Sequence, residues 1–300
     1  MNTHPFRILL PALALAALAL GACSTQMQPA QPTAAPEPAQ AAAPAAPAAA
    51  AVEVKIKGHD FSYDAPDQIA AGLVTFKFEN AGKEPHHAQL ARLNDGVTMT
   101  QLEDALKKSE NDAFPLITLV GGPGAVFPNQ SSNVTLDLPA GQYVLICFFT
   151  SDDGAPHFAK GMIKPLTVTT AGEARPAEPQ ADLTVTMKDF HFDMSSEMKA
   201  GKQVWKIVND GPQPHELQVL KLAPGKTVDD MAAFFQTQGP PSGPPPFDTL
   251  GGMQGLNPGL SGWLNLDLTA GNYVAICYIP DPKSGKPHFA LGMVMPFTVK

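Results

Sequence analysis

The chain has 300 residues, a formal net charge of −8 and only 16% charged residues. Such a mildly acidic, charge-poor sequence lacks the basic face that nucleic-acid binding needs. Its 31 prolines and 25 glycines favour short elements and turns over long helices.

Arg7 followed by the apolar run 8–20 reads as a secretory signal too short to span a bilayer. It ends in Leu20-Gly21-Ala22-Cys23, which resembles the bacterial lipobox. That resemblance implies a signal peptide over 1–22, cleavage before Cys23, and a lipid on the Cys23 thiol. The competing reading is a plain secretory signal with an incidental cysteine. Ser24, where an Asp would resemble an inner-membrane retention signal, favours the outer membrane of a bacterial envelope, with the chain facing the periplasm. Residues 23–51 are mostly Ala, Pro, Gln and Thr, cannot build a core, and read as an extended tether.

Residues 52–170 form a first folded unit. Alternating apolar positions predict strands at 52–57, 73–79, 86–93, 134–138, 143–149 and 164–169. Residues 98–108 have helical spacing behind a capping Thr98. The Gly/Pro-rich stretch 121–124 reads as a surface loop. A short Pro/Glu/Ala linker at 171–181 precedes a second unit, 182–300. There strands are predicted at 183–188, 204–208, 215–222, 263–268, 273–278 and 294–300, a helix at 227–237, and a surface loop at 239–246. Period-two alternation between turn signals makes each unit an antiparallel all-β sandwich with one helical excursion.

The two units are copies. Phe61/Phe190, Asn80/Asn209 and His86/His215 share an offset of 129. Gly141/Gly271 and Cys147/Cys277 lie 130 apart, and His157/His288 and Met162/Met293 lie 131 apart. That period is too long for a solenoid and fits two tandem domains.

The duplicated residues include chemistry. Each copy holds one His, one Cys and a His-x-x-x-x-Met pair: His86, Cys147, His157 and Met162, then His215, Cys277, His288 and Met293. Two imidazoles, a thiolate and a thioether are the donor types of a blue-copper centre. In Gly141-x-Tyr143-x-x-x-Cys147 and Gly271-x-Tyr273-x-x-x-Cys277 the thiol falls at the far end of a strand. Exported proteins pair or avoid cysteines, so a lone thiol per copy invites metal ligation; a buried filler residue is the alternative. A Cys147–Cys277 bridge is disfavoured, since both hold equivalent interior places. His87 has Glu216 as its counterpart and ranks below His86. His59 and His191 do not align and read as surface or strand-edge residues. Met194, Met198, Met231 and Met253 lack regular spacing; soft copper storage is one reading of them.

On these motifs the chain resembles the cupredoxins, the plastocyanin-like and halocyanin-like blue copper domains, over 52–169 and 183–300. The resemblance implies tandem Greek-key β-sandwiches, one copper at one end of each, and the two residue sets above as ligands. It departs in its Cys-to-His spacing, 10 residues in the first copy and 11 in the second, where the family's loop is shorter. Doubling a loop costs only about 0.6 kcal/mol, and residues 150–154 and 281–285 are polar turn formers able to loop outward. Four readings follow: one-electron transfer to periplasmic redox partners, copper delivery or buffering to a copper-handling protein, a copper-free interaction domain, or an enzyme like the multicopper oxidases and nitrite reductases. The last needs His-x-His pairs for further coppers, and the sequence has none. Zinc on two His and one Cys, with water as the fourth ligand, is the competing metal, but thioethers are poor zinc partners.

Overall fold

The computed structural model describes residues 51–170, 176–236 and 243–300. The expected signal peptide, the lipidation residue Cys23, nearly all of the tether, and linker residues 171–175 lie outside them, as do 237–242. The first half contains β1 (Val52–His59), β2 (Ser62–Asp64), β3 (Gln68–Ala70), β4 (Gly72–Asn80), β5 (Gln89–Leu93), β6 (Ile117–Leu119), β7 (Ser131–Leu138), β8 (Gly141–Ile146) and β9 (Ile163–Thr169). The second contains β10 (Leu183–Lys188), β11 (His191–Met194), β12 (Gly201–Asn209), β13 (His215–Leu222), β14 (Phe247–Leu256), β15 (Ser261–Leu268), β16 (Gly271–Ile276) and β17 (Val294–Val299).

Each half is a sandwich. In the first, β2-β1-β4-β7 packs against β3-β9-β8-β5-β6; in the second, β11-β10-β12-β15 packs against β14-β13-β16-β17. The alternation in the sequence is the cause: Val54 and Ile56 of β1 and Phe76 and Phe78 of β4 point inward, against Leu90, Leu145 and Leu166. Alternation does not reveal strand direction, and β1/β4, β10/β12 and β3/β9 pair in parallel where antiparallel pairing was expected. Tyr143 and Tyr273 are buried and donate their hydroxyls to the carbonyls of Pro139 and Thr269, four residues back, which pins the turn entering the Cys strand.

The helical excursions cover outer faces. Leu102, Ala105 and Leu106 of α1 (Met99–Leu106) pack on Ala91, Val144 and Ile146, so β8 is buried on both sides. Thr98 and Gln101 form a reciprocal capping box at its start. The first half carries a second short helix, α2 (Glu110–Ala113), where one excursion was expected. In the second half Met231 of α3 (Val228–Gln236) packs on Leu220, Phe247 and Val274. Among the described residues no helix is long and apolar enough to cross a membrane.

The halves are joined through backbone. β7 and β15 pair antiparallel, with Val134 opposite Leu264, and merge the two front sheets into one of eight strands. The stretch 121–124 is a correction: it is buried, not a surface loop. Gly121 N–H donates to Gly255 O and Gly124 N–H to Gly252 O, both at 2.8 Å. A Cβ on Gly124 would lie 2.6 Å from Gly252 Cα, so glycine is needed here for backbone contact. β14 itself went unread in the sequence because Gly251, Gly252 and Gly255 interrupt its apolar alternation. Of the second expected loop, 239–242 lie outside the described residues and Pro246 is buried.

Candidate metal centres

At one end of each sandwich, three predicted donors converge. Ligand atoms of His86, Cys147 and His157 all lie within 4.8 Å of one another, and so do those of His215, Cys277 and His288. All six residues are buried, none more than 1% exposed. His86 reaches its place through an isolated bridge with Val126, since β5 begins only at Gln89, whereas His215 opens β13 as expected. Cys147 and Cys277 stand one residue past the ends of β8 and β16. Both thiols are free.

The long Cys–His loops close on themselves. Thr150 bridges Pro156, and Pro280 bridges Pro287, so residues 152–154 and 282–286 bulge into solvent while the histidine returns beside the cysteine. Each histidine then starts a single 3-10 turn, His157–Lys160 and His288–Leu291, ended by a left-handed glycine, Gly161 or Gly292. Those turns deliver Met162 and Met293, both fully buried. Met162 N–H donates to His157 O at 2.9 Å, and Cys147 N–H donates to Met162 O at 3.1 Å; Met293 repeats both bonds with His288 and Cys277. Backbone bonds thus tie Cys, His and Met of each copy into one knot.

The outer nitrogens fix the chemistry of the inner ones. His86 Nε2 lies 2.9 Å from Asp60 Oδ1, and His157 Nε2 lies 3.0 Å from Glu84 Oε2. In the second copy His215 Nε2 lies 2.7 Å from Asp189 Oδ1, and His288 Nε2 lies 3.1 Å from Gln213 Oε1. Each neutral ring therefore carries its proton on Nε2 and presents a lone pair at Nδ1. The paired Nδ1 atoms face each other at 3.1 Å in the first copy and 3.0 Å in the second, with Sγ 3.5 and 3.4 Å from the nearer ring. Two lone pairs at that separation repel unless a cation sits among them. The donor set fits copper: two imidazoles, a thiolate and, on the adjoining turn, a thioether.

Burial shapes the titrations. It pushes the Cys147 thiol up to about 11 and, helped by the nearby Glu216, the Cys277 thiol well above its ordinary value. It holds His86 and His215 below the usual imidazole range against the pull of Asp60 and Asp189, and His288 down to about 4. Burial alone would raise Asp60, but hydrogen bonds from His86 and from the Lys83 and Glu84 amides outweigh it and hold its carboxyl low. Without metal, burial thus favours the neutral form of His86, His215 and His288 and the protonated form of both thiols.

In the sequence, Asn80/Asn209 and Phe61/Phe190 stand out only as matched repeat positions, and the carboxylates and amide behind the ligands do not stand out at all. Asn80 donates to Glu84 O and Val126 O and accepts the Gly82 amide, folding the approach to His86. Asn209 repeats this with Gln213 O, Leu256 O and the Gly211 amide. Phe61 and Phe190 meet His157 and His288, each with ring centroids 5.1 Å apart. The signal was present: Asp60/Asp189 and Glu84/Gln213 share the 129-residue offset of the ligand His86. His87 and Glu216 line up as counterparts: His87 Nε2 accepts the Phe148 amide, Glu216 Oε1 the Tyr278 amide. His59 and His191 are exposed, as expected. Met231 and Met253 are core residues, and Met194 and Met198 pack on the core edge, so the extra methionines form no common site.

No protein-family model matches the chain, and no curated protein matches it in sequence. Among solved structures, it is similar to an auracyanin from Roseiflexus castenholzii at 19% identity, covering 40% of this chain and 99% of that one, with a TM-score of 0.29. Auracyanin A from Chloroflexus aurantiacus, a "blue" copper protein, matches at 21% identity over 40% of this chain and all of its own, TM-score 0.28. A copper nitrite reductase from Nitrosomonas europaea matches at 13% identity over 84% of this chain and 94% of its own, TM-score 0.26. At such scores the likeness carries none of the functional reading, which rests on the two donor sets.

Proposed function

We propose that this chain is a lipid-anchored copper protein of the bacterial envelope, facing the periplasm, that passes single electrons between redox partners. One observation carries the reading: in both copies two imidazole nitrogens and a thiol converge in a buried pocket, with the paired Nδ1 atoms 3.1 and 3.0 Å apart. Copper held by such donors supplies a one-electron couple. The residues of this chain do the rest. Asp60, Glu84, Asp189 and Gln213 hold the rings in one tautomer and plane, the sandwich excludes water, and the backbone knot keeps the donors in place.

Copper delivery or buffering is the neighbouring reading. Burial of both sets favours electron transfer over it, because handover to a partner needs an accessible metal. The long loops that motivate a copper-free domain are closed at their bases, which leaves the donors together. An oxidase or reductase would need further copper ligands that the sequence does not supply as His-x-His pairs. The anchor rests on the lipobox at Cys23.

Adding Cu(II) to the chain without residues 1–22 tests the reading. A thiolate-to-copper absorption band should appear, fall by half in Cys147→Ser, and vanish when Cys277→Ser is added. A reversible potential with fast self-exchange then marks electron transfer, and transfer of Cu(I) to an apo acceptor marks delivery. No band and no bound copper would remove the whole reading.

A further inference from the structure

A cleft of about 860 Å³ lies between the two halves, within the ~300–1,000 Å³ span of small-molecule sites. Its walls are aromatic: Phe127, Phe148 and Phe149 from the first half, Phe235, Phe247 and Tyr278 from the second. Phe127 and Phe247 stack across the halves with centroids 6.2 Å apart, and Phe235 lies 5.5 Å from both Phe247 and Tyr278. Flat rings pack well against such faces.

Two polar groups in the cleft hold equivalent places in the repeat. His87 is only 8% exposed. Its Nε2 accepts the Phe148 amide at 3.0 Å, so the ring proton is on Nδ1, and among the described residues no acceptor meets that Nδ1–H. Glu216 Oε1 accepts the Tyr278 amide at 2.8 Å, while Oε2 has only a 3.5 Å contact from Gln218. The cleft therefore offers one unused donor from the first half and one underused acceptor from the second.

We propose that this cleft binds a planar aromatic bearing hydroxyl groups, a ligand of the phenol or hydroquinone class. The ring lies among the phenylalanines, one hydroxyl oxygen accepts from His87 Nδ1–H, and another hydroxyl donates to the Glu216 carboxylate. A hydroxyl can do either job. A purely apolar ligand would leave both groups unpaired, which is costly in a buried site. An anion is disfavoured because Glu84, Glu110 and Asp152 also line the cleft against the one cation there, Lys83. His157 of the first metal centre also lines the cleft, so the binding test uses the metal-free chain, where copper cannot contribute to the signal.

The probe is 2,6-dihydroxynaphthalene, titrated calorimetrically into the metal-free chain, with 2,6-dimethoxynaphthalene as the control. Saturable binding of one molecule per chain is expected, at least about tenfold weaker for the ether, which cannot donate to a buried carboxylate. Phe235→Ala, on the partly exposed side of α3, should weaken the dihydroxy probe severalfold while melting as cooperatively as the parent. Should that variant fail to fold, the Phe148 and Tyr278 amide resonances of the parent should shift on titration. Absence of saturable binding, equal affinity for the two probes, undiminished binding to folded Phe235→Ala, or amide shifts confined to other surfaces would each overturn the proposal.

Discussion

Glu84 Oε2 accepts a hydrogen bond from His157 Nε2 at 3.0 Å, and at the equivalent place in the second copy Gln213 Oε1 meets His288 Nε2 at 3.1 Å. Gln213 Nε2 in turn donates to Asp189 Oδ2 at 2.8 Å, so both imidazoles of the second centre lean on one carboxylate. The first centre has two. A carboxylate partner raises the basicity of a ligand imidazole more than an amide does, and outer partners of this kind are worth about 10–100-fold in metal affinity.

The first prediction follows from that asymmetry. In a Cys277→Ser background, Glu84→Gln should weaken Cu(II) binding at the first centre by about tenfold. In a Cys147→Ser background, Gln213→Glu should tighten the second. Competition with a chelator of known affinity measures both; unchanged affinities would mean that the outer partners do not tune these rings.

Gly82 is held to glycine by the site and not by its backbone angle. A Cβ there would overlap Asp60 Oδ1 and lie 2.6 Å from His86 Nε2. Gly82→Ala should destabilise the metal-free chain by about 2 kcal/mol, as overpacking does. It should also disturb the first centre's spectrum and spare the second. Urea midpoints check the stability, and a midpoint matching the parent would show that the loop has room to relax.

Copper binding should release protons. The ligand is a thiolate, and burial keeps Cys147 protonated up to about 11 and Cys277 well beyond its ordinary value. Calorimetry at pH 7 in buffers of different ionisation enthalpy should therefore give about one proton released per copper bound. A value near zero would mean that the thiol is not the ligand.

His87 and Glu216 predict opposite pH dependences for the metal-free chain. Burial lowers His87 to about 3, so its contribution is intact above the unfolded value near 6.5 and is lost as pH falls towards 3. Burial raises Glu216 to about 7 from 4.5, so its folded form is penalised progressively as pH rises through that window. Glu216→Gln removes the second effect. Its unfolding free energy relative to the parent should be roughly 3 kcal/mol more favourable at pH 8 than at pH 4. Urea titrations across that range give the comparison, and a pH-independent difference would contradict it.

The strands that carry ligands were legible because burial imposes alternation on them, and because duplication marks His86/His215 and Cys147/Cys277 as a set. The closure of the long loops was legible in their polar turn residues. What joins the halves was not. The stretch 121–124 has the composition of a surface turn, yet the missing side chain of Gly124 lets the backbone of β14 approach at Gly252; sequence composition cannot distinguish these uses of glycine. Asp60 and Glu84 resemble ordinary solvated acids in turns, and only folding brings them against His86 and His157.

The most direct measurement is anomalous diffraction at the copper edge from crystals of the copper-loaded chain. Two peaks per chain are predicted, one within bonding distance of Cys147 Sγ and the Nδ1 atoms of His86 and His157, the other of Cys277 Sγ and the Nδ1 atoms of His215 and His288. No peak at either set, or copper held only on surface residues, would contradict the account.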